Sequence, residues 1–150
     1  MRWTCEVAYR RAVTELAFEL GGGLKGLPLG LSKERVRAFF GNDHQQFRRS
    51  PDSNPTDYWA AAGVFAYYDG ADFLEAMEFS SPSDPTLNGA SLVRVSMGDA
   101  IERLRLLDPD LSVEPGGATS TKLGIGVWSS TGALDQLVMS AITFRPGYYE

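Results

Sequence analysis

Cysteine, histidine and long apolar runs are what these 150 residues have least of. The single cysteine, Cys5, leaves no internal disulfide to form, and one histidine with one cysteine falls short of a customary zinc ligand set. No run approaches the ~18 apolar residues that cross a bilayer. The opening MRWTCEVAYRRAVTEL scatters charge where a secretory leader needs an apolar stretch. The expectation is a cytoplasmic chain with no membrane contact, no metal and no other cofactor. Positive charge is also short: 14 Lys and Arg against 19 Asp and Glu give a formal charge of −5. That balance argues against nucleic acid and anionic lipid, and it suits a basic protein partner.

What is present is ordinary for a folded protein. Hydrophobic residues make up 43% and charged residues 22%, and one domain over 1–150 can bury roughly two thirds of its unfolded surface. Cys5, Tyr9, Ala12, Val13, Leu16, Ala17 and Leu20 recur at three-and-four spacing and predict an amphipathic helix, ended by Gly21 to Gly23. Ser32 predicts the N-cap of a second helix carrying Val36, Phe39 and Phe40, with Gly41 at its end. Ser96, with Asp99 at capping-box spacing, opens a third with Ile101 and Leu104 on its apolar face.

Gly63 to Phe79 reads as a hairpin turning at Asp69-Gly70, Ser91 to Val95 as a strand, and LGIGVW and LVMSAITF as two more strands joined through Thr131-Gly132. The predicted fold is α+β, an antiparallel sheet of four to six strands with helices packed on one face. A faint internal echo sets Val36 and Phe39 over Ile101 and Leu104, and Phe79 over Phe144. It divides the chain into two degenerate helix-hairpin repeats, 24–79 and 91–144.

Three candidate chemistries can be weighed on residues alone. Gly21-Gly22-Gly23-Leu24-Lys25-Gly26 has the glycines of a phosphate loop, but Leu27-Pro28 stands where Lys and Ser or Thr are required, and a helical pattern precedes it instead of a strand. His44 in GNDHQQF would make a hydrolase-type enzyme only if a nucleophile or carboxylate reached it in a cleft. The carboxylates Asp57, Asp69, Asp72, Glu75 and Glu78 surround the first hairpin, where Asp69 and Asp72 suit the turn better than acid–base work.

Tyrosine and tryptophan are more informative. In Tyr58-Trp59, Tyr67-Tyr68 and Tyr148-Tyr149, strand alternation sends one ring of each pair to each face, leaving part of the set at the surface beside Asp. Surface Tyr and Trp are common interface anchors. The candidate partner-binding residues are therefore Asp57, Tyr58, Tyr67, Asp69, Asp72 and Glu75. A small-molecule site would instead need an apolar pocket with a few polar groups on the free face of the sheet. A free edge strand pairing with its own copy would give a homodimer.

LPLGLSKERVRAFFG resembles the phrase LGMs-x-x-x-V-x-x-x-LG of small bacterial helix-plus-sheet domains, among them the outer-membrane assembly lipoprotein domain and the duplicated domains of beta-lactamase inhibitory protein. Leu29, Gly30, Leu31, Ser32, Val36 and Gly41 carry it. FAYYDGADFLEAMEF, KLGIGVW and PGYYE extend the likeness to immunity proteins of bacterial polymorphic toxin systems. The resemblance implies a non-catalytic protein that neutralises a cognate toxin by covering its active site.

Overall fold

Among the described residues, two serines start the two helices. Ser32 Oγ accepts the Arg35 N–H (3.4 Å) at the head of α1, Lys33–Phe40, and Ser96 Oγ accepts the Asp99 N–H (3.1 Å) at the head of α2, Met97–Leu107. Glu34 and Asp99 sit in the positive first turns. The computed structural model describes residues 16–149.

The strands are β1 (Gln45–Phe47), β2 (Thr56–Trp59), β3 (Val64–Tyr68), β4 (Leu74–Ser80), β5 (Thr86–Leu87), β6 (Ala90–Ser91), β7 (Ser112–Glu114), β8 (Gly117–Ser120), β9 (Ile125–Trp128) and β10 (Ser140–Phe144). Eight of them form one antiparallel sheet in the order β1-β2-β3-β4-β10-β9-β8-β7, and β5 and β6 pair separately. The α+β class stands, but the sheet exceeds the expected four to six strands. The extra strands are short and lie toward the two edges, and QQF and SVE are exposed along their whole length, which leaves no alternation to detect. The strand expected over Ser91 to Val95 shrinks to Ala90–Ser91, because Leu92 and Val93 turn into the core.

The sheet order reads the same from both edges. α1 is followed by the meander β1–β4, α2 by the meander β7–β10, and the last strand of each pairs at the centre. Bonding repeats at matching places: Ser32 bridges Phe73 as Ser96 bridges Leu137, and Gly63 O accepts from Ser80 N (2.9 Å) as Gly124 O accepts from Phe144 N (3.0 Å). Gly63 and Gly124 have φ of 69° and 68° and lie against those last strands, where a Cβ would strike the Ser80 and Phe144 carbonyl oxygens. The caps align Val36 with Ala100 and Phe40 with Leu104, all buried. Residue-level matching therefore differs from the sequence echo by one position. Phe79 and Phe144 are not equivalents, for Phe79 faces Ala141 across the central pair and belongs to a different buried cluster from Phe144.

Those two clusters lie on the alternating faces of the strands. Trp59, Val64, Ala66, Tyr68, Met77, Phe79, Val127 and Ala141 share one cluster with Val36 and Phe40 of α1 and Met97, Ile101 and Leu104 of α2. Each fully buried Val, Leu, Ile, Phe or Met among them contributes about 1.5–3 kcal/mol. Tyr67, Ala76, Ile142 and Phe144 form the second cluster, with Phe65 and Tyr148 packed on it.

The helix expected over Cys5 to Leu20 lies mostly outside the described residues, and its last part is not helical. Ala17 bridges Thr86, and Phe18 bridges Leu24. Gly21 to Gly23 are consequently not a helix stop. Gly22 passes so close to the central hairpin that a Cβ would lie 2.8 Å from Phe144 O. The N–H groups of Gly21, Gly22 and Gly23 donate to Leu123 O (2.9 Å), Glu19 O (3.1 Å) and Thr143 Oγ1 (2.6 Å). None of these three donors is left to cradle a phosphate.

Candidate partner-binding face

The face of the sheet that carries the second cluster is aromatic on one half. In β3 the alternation of VFAYY puts Phe65 and Tyr67 there and sends Tyr68 to the opposite side; in β2 it puts Tyr58 there and buries Trp59 behind it. Tyr58 stacks on Phe65 at 4.3 Å and 18°, and Phe65 is parallel to Tyr67 at 6.4 Å and 8°. Phe47 of β1 meets Phe65 edge-on at 6.1 Å and is 40% exposed. Arg49 lies over the Tyr67 ring, its Cζ 4.4 Å from the centroid, and donates to Tyr148 Oη (3.2 Å).

Two of the predicted residues, Tyr58 and Tyr67, thus come together on this face. Tyr58 is half-buried, whereas Tyr67 is nearly covered and donates its hydroxyl to Glu78 (2.8 Å). Burial first and the Glu78 carboxylate second raise the Tyr67 pKa well above that of free tyrosine. Tyr67 therefore stays a neutral donor.

Asp57 has a different place from the one expected. It projects to the helix side with no exposed surface, and its carboxylate accepts from Arg37 Nε (2.8 Å), Arg37 Nη2 (3.0 Å), Tyr68 Oη (2.8 Å) and Gln46 Nε2 (3.3 Å). Burial alone would raise its pKa, but the two-pronged guanidinium and the Tyr68 hydroxyl outweigh that and hold it below the ordinary carboxylate value. A buried, fully engaged carboxylate has nothing to offer a partner. Asp57 is structural.

The other carboxylates are divided by the hairpin loop. The expected two-residue turn at Asp69-Gly70 is a longer loop in which Asp69 N donates to Phe73 O (2.8 Å) and Asp72, not Gly70, takes positive φ at 65°. Asp69 Oδ1 accepts from Ala71 N (2.9 Å) and Phe73 N (3.0 Å), and Oδ2 accepts from Arg145 (2.9 Å). The Phe73 N–H leads the causes that lower its pKa, with Ala71 and Arg145 adding to it. Glu75 is the extra residue of a bulge between Tyr67 and Tyr68 on the facing strand, and it accepts from Arg145 Nη2 (3.0 Å). Asp72 is exposed and pairs with Lys33 (3.1 Å). Asp69 and Glu75 are therefore held by Arg145, and Asp72 is the most open of the three.

His44 Nε2 lies 3.8 Å from Asp57 Oδ1, a carboxylate already committed, and its Nδ1 is buried without a protein partner. Cys5 lies outside the described residues. Among the described residues no three His, Cys, Asp or Glu side chains converge as a metal site requires, and no helix is long and apolar enough to cross a membrane.

Compared with protein-family models, curated proteins and solved structures, the chain gives no match.

Residues that sequence reasoning missed complete the face. Phe65 was signalled by its place two residues before Tyr67, but Phe47 sits in a strand too short to be seen. A broad hollow of about 720 Å³ opens beside Arg49, Glu75, Arg145, Tyr148 and Tyr149. A second, of about 410 Å³, lies on the far half between Trp128, Tyr149, Glu114 and Thr119. Tyr149 is the wall common to both.

Proposed function

We propose that this chain is a non-catalytic protein-binding protein of the immunity type, which neutralises a cognate bacterial toxin by covering it with the open aromatic face of the sheet. In this reading both helices cover the opposite face and hold the sheet rigid. The observation that carries it is the stack Tyr58–Phe65–Tyr67, in which Tyr58 and Phe65 are half-buried and Tyr67 is nearly covered, with Phe47 exposed at its edge. Rings fixed by mutual stacking lose little further entropy on binding, which is what makes aromatic anchors effective at interfaces. The formal charge of −5 favours capture of a basic toxin, with steering that weakens as salt screens it.

The same residues support enzyme chemistry less well, because the Asp57 carboxylate near His44 is held by four donors from Arg37, Tyr68 and Gln46. The large hollow also suits a protein surface better than a small ligand: its Arg145 is occupied by Asp69 and Glu75, and Arg49 is laid on a ring.

Coexpression with the toxin encoded beside the gene tests the reading. The expected result is a stable complex and rescue of growth, with binding weakened at least about tenfold by Phe65→Ala, as for an interface anchor. Arg35→Ala, on the exposed side of α1, should leave it unchanged. Absence of both complex and rescue would remove the proposal, as would a toxin that depends on Arg35 and ignores Phe65.

A further inference from the structure

The two halves of the open face carry equivalent rows with different contents. In the first half the strand register sets Tyr67, Thr56 and Phe47 side by side across β3, β2 and β1; in the second it sets Trp128, Gly117 and Glu114 across β9, β8 and β7. Trp128 stands where Tyr67 stands, each the fourth residue of its strand after Gly63 or Gly124. Gly117 is what allows the indole to lie flat along the row, since a Cβ there would collide with the Trp128 ring. Glu114 lies beyond Gly117 in the same row, and it lines one hollow together with Trp128.

The first half also shows what such a ring holds. Arg49 places its guanidinium over Tyr67 and bonds Tyr148, so one cation is clasped between two aromatic groups. In the second half the tail supplies Tyr149 as the second aromatic wall, fixed edge-on against Phe144 at 4.9 Å and 79°. Among the described residues the cation-on-ring contacts are those of Arg49 on Tyr67 and Lys33 on Tyr68. Trp128 has instead the carboxylates of Glu114 and Asp110 around its hollow.

We propose that the hollow between Trp128 and Tyr149 is a receptor for one arginine side chain of a protein partner. The guanidinium stacks on the indole, the aromatic surface most favourable to a cation, while Glu114 accepts its N–H groups at the end of the row and Asp110 adds to the local negative field. The hollow lies within the range of small-ligand clefts, roughly 300–1,000 Å³, so it admits the side chain together with part of the backbone that bears it. The inference deepens the protein-binding reading only in naming the carrier. The site itself is defined by this chain alone.

The test uses the full chain and N-acetyl-arginine methylamide as probe, followed by the Trp128 indole N–H signal in NMR. A saturable shift in the millimolar range is expected, reduced about threefold by Glu114→Gln and about tenfold by Trp128→Leu. Glu114 is exposed, so its variant keeps the test valid even if Trp128→Leu fails to fold. The neutral citrulline analogue should give no saturable shift. Equal binding of citrulline and arginine, or arginine shifts that leave the Trp128 signal unmoved, would overturn the site. Because no toxin enters the titration, its outcome is separate from that of the coexpression experiment.

Discussion

The two halves of this molecule solve the same structural problem with different chemistry. The cap alignment sets Arg37 of α1 at the place of Ile101 in α2, and the strand alignment sets Asp57 of β2 at the place of Ala118 in β8. One half contains an ion pair between a fully buried carboxylate and a half-buried guanidinium; the other places Ile and Ala in the apolar cluster. Each half also ties its second strand to the end of its helix, by Trp59 Nε1 donating to Gly41 O (2.9 Å) in one and Ser120 Oγ donating to Asp108 Oδ2 (2.6 Å) in the other. The fold therefore does not need the charges of the first half. What the ion pair adds is a fixed position for Tyr68 and Gln46, on two strands whose other face carries the aromatic rings Phe65, Tyr67 and Phe47.

The sharpest way to break this comparison is to remove one partner of the pair. Asp57→Ala should cost about 3–5 kcal/mol, because it leaves the Arg37 charge half-buried and unpaired. The double variant Arg37→Ile/Asp57→Ala, which copies the second half, should recover a large part of that loss in urea denaturation. Recovery should stop short of complete, as Tyr68 loses its acceptor. A double variant no more stable than Asp57→Ala would show that the halves are not interchangeable here. The pH dependence has a definite sign. Asp57 has a lowered folded pKa, so its stabilisation is complete above the unfolded value near 3.8 and is lost as pH falls through the folded value. The double variant should lack that acid-limb contribution.

A smaller effect is expected from exchanging the central residues of the two open-face rows. Gly117→Thr places the first half's residue under Trp128 and should cost about 1–3 kcal/mol or more by overpacking, since its Cβ would meet both the Trp128 indole and the Val127 carbonyl oxygen. Thr56→Gly, the reverse exchange, should cost about 1 kcal/mol through backbone entropy and lost strand packing. Thermal unfolding of both variants measures the asymmetry. If Gly117→Thr were neutral, the close indole packing that shapes the arginine hollow would be refuted.

How much of this was legible beforehand depended on burial and length. The two caps could be read because Ser32 and Ser96 act locally, and β3, β4, β9 and β10 because their apolar content is high. The internal echo was misaligned by one residue because hydrophobicity matched Val36 to Ile101, whereas the caps match it to Ala100, a small buried residue that gives little signal. Asp57 was misread because sequence places a charged residue at the surface by default, and only the third dimension brings Arg37, Tyr68 and Gln46 around it. Alternation sends one ring of each tyrosine pair to each face without saying which, and the row from Trp128 to Glu114 depends on strand register between segments that no local pattern connects.

The smallest predicted effect separates charge from structure within the first hairpin loop. Asp69→Asn weakens hydrogen bonds from two backbone N–H groups and Arg145 to a carboxylate, and should lose about 0.5–1 kcal/mol. Asp72→Asn retains a side chain that tolerates the positive φ and removes one exposed ion pair with Lys33, so its stability should change by less than about 0.5 kcal/mol. If a basic partner is steered by this end of the molecule, Asp72→Asn should slow association at low salt while leaving dissociation and the urea midpoint nearly unchanged. A faster dissociation with no change in association would place Asp72 in the contact itself, and the loop would then belong to the interface along with the aromatic stack.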